Sequence, residues 1–328
     1  MSAVHWLKAP MLALAAAASL AVGLSAPLSA PARAQDKLTI GAIIYARDSQ
    51  FWQQIERGMR DAAEKYGATI QFGLNQRKLP TESQVVEDFI TRGVDVLIMP
   101  PLDKQGSVAS ARRAQSRNIM IVEYDTKLED TSIASHTIGV DSHELAAAVG
   151  KELRRYIESQ PGEPSIGMIT LPPINANMQP RRAGFLSALE GLKYELVAEV
   201  TAATPEDGAD GLENILRRKP DTTAVWASNA GSLAGAAAAA RRANTKTKLY
   251  GIDMSQDLAQ MLLDPASNVE AVADQQPYRV GYLTVETAVK AKRGEAQPRY
   301  VNVPVKLYTK SQPQAVKDYL ELLRSLSN

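Results

Sequence analysis

The feature that most constrains this chain is the regular alternation of β-type runs with helical patterns from Lys37 onward. The first unit, KLTIGAIIYARDSQFWQQIERGMRDAAEKYG, sets the rhythm over 37–67. Residues 38–45 read as a buried strand. A short polar loop follows, and Phe51 and Trp52 open a helix over 50–66. In that helix Trp52, Ile55, Met59, Ala62, Ala63 and Tyr66 recur on one side, and Gly67 stands as a stop.

The same pattern predicts strands at 68–74, 94–99 and 119–124, and helices at 81–92 and 104–117. Thr81 reads as a cap and Gly93 as a stop. Beyond Asp141 it predicts helices at 142–159, 178–191, 209–218, 231–243, 255–264 and 277–294. The strands between them fall at 165–171, 194–201, 223–227, 247–252 and 269–273. Strands alternating with helices at this spacing imply an α/β protein with parallel sheets covered on both faces. About ten such units are too many for one compact sheet, so two similar domains are expected. No Pro/Ser-rich linker separates them, and the chain is expected to cross through ordered segments near 139–141, 274–276 and 303–304.

Residues 1–34 are read apart from the fold. A weakly basic start precedes the apolar run 11–26, and Ala32-Arg33-Ala34 is a small-x-small cleavage pattern before Gln35. The run is Ala-rich and shorter than the ~20 apolar residues a span requires, so a cleaved export signal and a periplasmic location are expected. No Cys follows it, which excludes a lipid-anchoring site, and no disulfide is possible anywhere in the chain. A chain of this length can bury one or two full cores without disulfides. The residues after the signal carry 35 basic and 36 acidic side chains, which argues against a nucleic-acid or anionic-membrane partner.

Signatures of catalysis are missing. There is no G-x-S-x-G, H-E-x-x-H or G-x-x-x-x-G-K-[ST], and no G-x-G-x-x-G follows the first strand. His136 and His143 read as scattered surface residues rather than a metal cluster. Asp125 and Asp253 would suit an acid/base pair, but no nucleophile accompanies them. No cofactor, metal or enzymatic activity is expected, and an unrecognised periplasmic enzyme is the remotest of the readings.

The segments LTIGAIIYARDSQFWQQIERGMRDAAEKYG, VEDFITRGVDVLIMPPLD, IMIVEYD, PRRAGFLSAL, TTAVWASNAGSLAGAAAAARRA, LYGIDMSQDL and VEAVADQQPYRVGYLTVETAVKAKRGE carry a resemblance in their order and spacing. The chain resembles the type I periplasmic binding proteins, the ribose- and galactose-binding cluster of ABC-transport receptors. LacI-type repressors share that core but place a DNA-binding helix-turn-helix where this chain has its signal. The resemblance implies two Rossmann-like lobes, 35–140 with 276–303 and 141–275 with 304–328, joined by three hinge crossovers and closing over a ligand.

It also implies a site. Ser49, Phe51 and Trp52 match the polar residue and two aromatics that follow the first strand in sugar-binding relatives. Asp125 and Asp253 match cleft carboxylates, and Arg181 matches the Arg upstream of Gly184-Phe185, with Arg182 as its neighbouring alternative. Asn229 and Gln275 complete the ligand set; Asn229 also suits an N-cap, and Gln275 suits simple hinge bonding. Four positions depart from the family pattern. Thr126 stands where many relatives have Arg, Pro100 where they often have Asn, Ala230 where an acid often follows, and Thr204 where ribose receptors have an aromatic. The expectation is a monomeric periplasmic receptor that takes a monosaccharide or related polyol to an ABC permease in the inner membrane. The alternative is a receptor for a non-sugar solute that feeds a membrane histidine kinase or chemoreceptor.

Overall fold

The computed structural model describes residues 37–173 and 175–327. The export signal expected over 1–34 lies outside them. In chain order the first elements are β1 (Thr39–Ile44), α1 (Gln50–Tyr66), β2 (Thr69–Leu74), α2 (Leu79–Thr91), β3 (Val96–Met99), α3 (Val108–Ser116), β4 (Met120–Tyr124) and β5 (His136–Gly139). Next come α4 (Ser142–Glu158), β6 (Ser165–Thr170), α5 (Met178–Ala188), β7 (Glu195–Thr201), α6 (Pro205–Arg218), β8 (Ala224–Ala227) and α7 (Ala230–Arg242). The chain continues through β9 (Lys248–Ile252), α8 (Gln256–Leu263), β10 (Val269–Asp274), α9 (Pro277–Lys292), β11 (Tyr300–Asn302), β12 (Lys306–Thr309) and α10 (Pro313–Ser327).

The strands form two six-stranded sheets of matching order, β2-β1-β3-β4-β5-β11 and β7-β6-β8-β9-β10-β12. Pairing is parallel throughout except between β10 and β12. The α/β architecture with two parallel-dominated sheets is the one expected from the alternation. The chain passes between sheets three times: from β5 into α4, from β10 into α9, and from β11 into β12. Helix α9 packs on α1 and on β5 of the first sheet, whereas α4 packs on α5 and on β9 and β10 of the second.

Side-chain alternation along the strands explains the layers. In β1, Ile40, Ala42 and Ile44 belong to one core while Ile43 belongs to another, with Leu97 and Met99 of β3 beside it. Both faces are apolar because helices cover both. The helix pairs approach closely through glycine. A Cβ on Gly58 of α1 would sit 2.0 Å from the Tyr278 carbonyl oxygen of α9, and one on Gly184 of α5 would sit 2.1 Å from the His143 carbonyl oxygen of α4.

Several boundaries differ from the sequence reading. Helix α2 begins at Leu79 with Lys78 as its N-cap, so Thr81 lies inside the first turn and caps nothing. Helix α3 begins at Val108 rather than 104, because the Asp103 carboxylate accepts from the amides of Gln105 and Gly106 and holds them in a turn. Helix α5 stops at Ala188, short of 191, where Gly191 turns the chain at φ 80°. Helix α6 starts at Pro205, four residues earlier than expected. Thr204 and Asp207 form a reciprocal capping box there.

Candidate functional site

Both sheets present the carboxyl ends of their strands to one interlobe cleft of about 470 Å³. Ligands of open α/β sheets bind outside those ends, near the point where strand order reverses. All eight residues singled out from the sequence line this cavity: Ser49, Phe51, Trp52, Asp125, Arg181, Asn229, Asp253 and Gln275. They differ greatly in how free they are to meet a solute.

Ser49 is the N-cap of α1 by backbone position, yet its hydroxyl caps nothing and faces the cleft. The two aromatics divide their roles. Trp52 is only 7% exposed and belongs to the core, stacked at a tilt on Tyr45 at 4.5 Å and edge-on to Tyr124 at 6.4 Å. Phe51 is partly exposed and meets Trp52 edge-on at 5.0 Å. The ring that presents most surface to the cavity is therefore Phe51, with Trp52 as its backing.

Asp125 follows β4 and Asp253 follows β9, and both adopt left-handed backbone at φ 61° and 70°. This sharp turn at a strand end takes each carboxylate off the sheet and into the cleft. Burial pushes the Asp125 carboxyl up to about 6; nearby Arg181 opposes this and Asp253 reinforces it. Burial likewise raises Asp253, against the pull of Arg181 and the hydrogen bond from Gln275. The Gln275 amide donates to Asp253 Oδ1 at 2.5 Å and is itself buried. Gln275 thus ties the β10–α9 connection to a cleft carboxylate.

Arg181 is 3% exposed. Its Nη1 donates to the Ser228 carbonyl at 2.9 Å and stands 3.8 Å from Asp253 Oδ2, while its buried Nε has no partner. An unpartnered buried donor beside a cavity is costly unless something fills that cavity. Arg182 points elsewhere, bound through Nε to both carboxylate oxygens of Glu199 on the surface. Asn229 is the N-cap of α7. Its Oδ1 accepts from the Ser232 amide and its Nδ2 donates to the Ser232 hydroxyl, so the capping role engages both ends of its side chain.

The cavity also contains residues that the sequence did not single out. Asn177, in the loop before α5, donates to Asp125 Oδ1 across the cleft at 3.4 Å. Arg77 and Asp48 form a two-pronged ion pair at the rim, at 2.6 and 3.0 Å. The polar run Asn175-Ala176-Asn177 just before a helix was the only signal for Asn177. Two of the four positions that depart from the expected pattern, Thr126 and Thr204, are engaged locally. The Thr126 and Tyr45 hydroxyls both donate to the Pro101 carbonyl, so neither hydroxyl is free for a solute, although the Tyr45 ring lines the cavity. Thr204 lines the cleft but is occupied in capping α6. His136 lies against the Pro298 carbonyl and the His143 amide is capped by Asp141; neither lines the cavity.

Comparison with known proteins agrees with this geometry. A model of the periplasmic binding protein domain matches residues 40–296. The ABC transporter periplasmic-binding protein YphF of Escherichia coli (strain K12) is 26% identical over 294 residues, covering 86% of this chain and 89% of that protein. The D-ribose/D-allose-binding protein of Pseudomonas aeruginosa is 27% identical over 313 residues, covering 90% and 97%. The crystal structure of a galactofuranose binding protein superposes with a TM-score of 0.80 at 18% identity, covering 89% of this chain and all of that one. With the family model spanning most of its length and two matched sheets facing one cleft, the chain belongs to the periplasmic binding protein family, in its type I two-lobed form.

Proposed function

We propose that this protein is the periplasmic solute-binding component of an ABC import system and that it takes a monosaccharide or related polyol into the interlobe cleft. One observation carries the reading: polar side chains from both lobes, Asp125 with Asn177 and Arg181 with Asp253, converge on one cavity beside a partly exposed aromatic ring, Phe51. Carboxylates and a guanidinium fork suit hydroxyls, and Phe51 suits the apolar C–H face of a ring. The relatives described as ribose, allose and galactofuranose binders support the sugar class. The lobes, 35–140 with 276–303 and 141–275 with 304–328, would close about the three connections and present their joint surface to a permease. The protein would act as a monomer, after loss of residues 1–34, and would not turn its solute over.

The test is a thermal-shift screen of sugars and polyols followed by calorimetry. A ligand at 100-fold its dissociation constant adds about 2.7 kcal/mol of stability. Asp125→Ala and Asp253→Ala should each weaken the ligand so found by about 1.5–3 kcal/mol. Unchanged affinity in both variants would place the binding site elsewhere and sink the proposal. Uptake of the same ligand by vesicles carrying the cognate permease, dependent on this protein, tests the transport role.

A further inference from the structure

The charges lining the cleft do not balance. At the rim, Arg77 cancels Asp48. Deeper in, a single guanidinium, Arg181, stands among two carboxylates, 3.8 Å from Asp253. Asp253 has a second partner in Gln275. Among the described residues Asp125 accepts a side-chain hydrogen bond from neutral Asn177 at 3.4 Å and feels the shared Arg181 guanidinium only through space. Thr126, beside it in sequence, turns its hydroxyl away to the Pro101 carbonyl. Two lysines, Lys104 and Lys127, line a smaller vestibule that also touches Asp125. Lys127 is seated over the Tyr300 ring at 4.1 Å, and Lys104 is exposed. The solute chamber itself is thus left one negative charge in excess.

The aromatic wall is a second, independent pointer. Tyr45, Phe51 and Trp52 form a contiguous ring cluster that lines the same chamber as Asp125. Ring faces attract cations, worth about 0.5–2 kcal/mol depending on desolvation. A carboxylate short of donors next to a ring cluster makes a seat for an ammonium group, which brings three donors and the missing positive charge. A carboxylate or phosphate on the solute would meet the excess charge and be repelled.

We infer that the solute is a sugar or cyclic polyol bearing a protonated amine, with the ammonium seated between Asp125 and the aromatic cluster. The inference rests on the proposed solute cleft and specifies its ligand class.

The experiment is calorimetric titration of the purified protein with matched ligands. The pairs are D-glucose with D-glucosamine, D-galactose with D-galactosamine, and myo-inositol with an aminodeoxy-inositol, with D-glucuronate as the anionic control. In at least one pair the amine should bind about tenfold or more tightly than its neutral partner, and the anion should bind weakest. Asp125→Asn should remove that preference by weakening the amine about tenfold more than it weakens the neutral partner. Asn adopts φ near +61° readily, so this variant should keep the fold. Neutral members binding as well as or better than the amines, with affinity lost in Asp253→Ala, would overturn this inference and leave the sugar-receptor reading intact. An amine preference that survives Asp125→Asn would overturn the assigned seat. Binding by no member of any pair up to about 10 mM, an association worth under about 3 kcal/mol, would overturn this inference and leave the sugar-receptor reading to the wider screen of sugars and polyols.

Discussion

Asp274 offers the most quantitative test of the structure. It ends β10 where the chain leaves the second sheet for α9, and it is 2% exposed. Its Oδ1 accepts from the Met254 amide at 3.2 Å and its Oδ2 from the Gln276 amide at 3.0 Å. Burial nevertheless pushes its carboxyl up to about 7, with Asp253 adding to the effect. A carboxyl whose folded value is raised above the unfolded one favours folding when protonated. Its contribution is fully present below the unfolded value near 3.9 and is lost as pH rises through about 7. Between pH 8 and pH 5 the gain is about two pH units of linkage, or about 2–3 kcal/mol. That corresponds to a melting shift of about 5 °C for a chain of this size. Asp274→Asn has no proton to gain and should lack this component. The other raised carboxyls, Asp125, Glu82 and Glu123, are present in both proteins and cancel in the comparison, while Asp253, coupled to Asp274, titrates more easily in the variant and adds to the difference. The assay is thermal melting of ligand-free wild type and variant at pH 5 and pH 8. Parallel pH dependence in the two proteins would refute the argument that this carboxyl is held protonated by burial.

Three further outcomes are expected. Trp52→Ala should cost about 3–5 kcal/mol of folding stability because the ring is core, whereas Phe51→Ala should cost little stability and should weaken ligand binding; denaturant melts and calorimetry on both variants separate the two roles. Gly184→Ala should destabilise by about 1–3 kcal/mol, since its Cβ would meet the His143 carbonyl oxygen at 2.1 Å and α4 and α5 would have to part; an unchanged melting temperature would contradict the helix crossing described. Protein recovered from the periplasm should begin within a few residues of Gln35, and an intact mass that still includes residues 1–34 would refute the cleavage reading.

Much of the architecture was legible because strong local signals coincide with tertiary need. Helix α1 spans the residues its apolar spacing marks, and Gly67 ends it at φ 69°. Strands β5, β11 and β12, of four, three and four residues, are only partly buried and lack the continuous apolar run that marks the equally short β3 and β8; they exist because a neighbouring strand offers its edge. Helix α10 lies beyond the last strand–helix unit of the alternation, and its apolar stripe is Val316, Tyr319 and Leu323. The start of α6 is carried by a polar capping signature, Thr204-Pro205-Glu206-Asp207, that precedes the helix's apolar pattern and so shows no periodicity of its own. At the site, strand-end position identified Asp125 and Asp253, because geometry there follows from topology. Burial did not follow: nothing local announces that Trp52 is mostly enclosed, or that the Asn229 amide is wholly engaged by Ser232. Asn177 reaches Asp125 only because the two lobes face each other.

The left-handed backbone at Asp125 and Asp253 narrows the paths along which this receptor could diversify. Branched and bulky residues are strongly disfavoured at such angles, while Asp, Asn and Gly are accommodated. Each position therefore favours a short alphabet led by an anion, its neutral amide, or no side chain at all, although unbranched residues such as Gln76, Arg77 and Gln276 also hold such angles in this chain. New solute preferences would have to arise at neighbours with ordinary backbone, such as Ser49 (φ −133°) and the cap-linked Asn229 (φ −158°), where most side chains are sterically free to appear. A library built to retarget the cleft gains most by holding the two carboxylate positions to three letters and varying the ring around them.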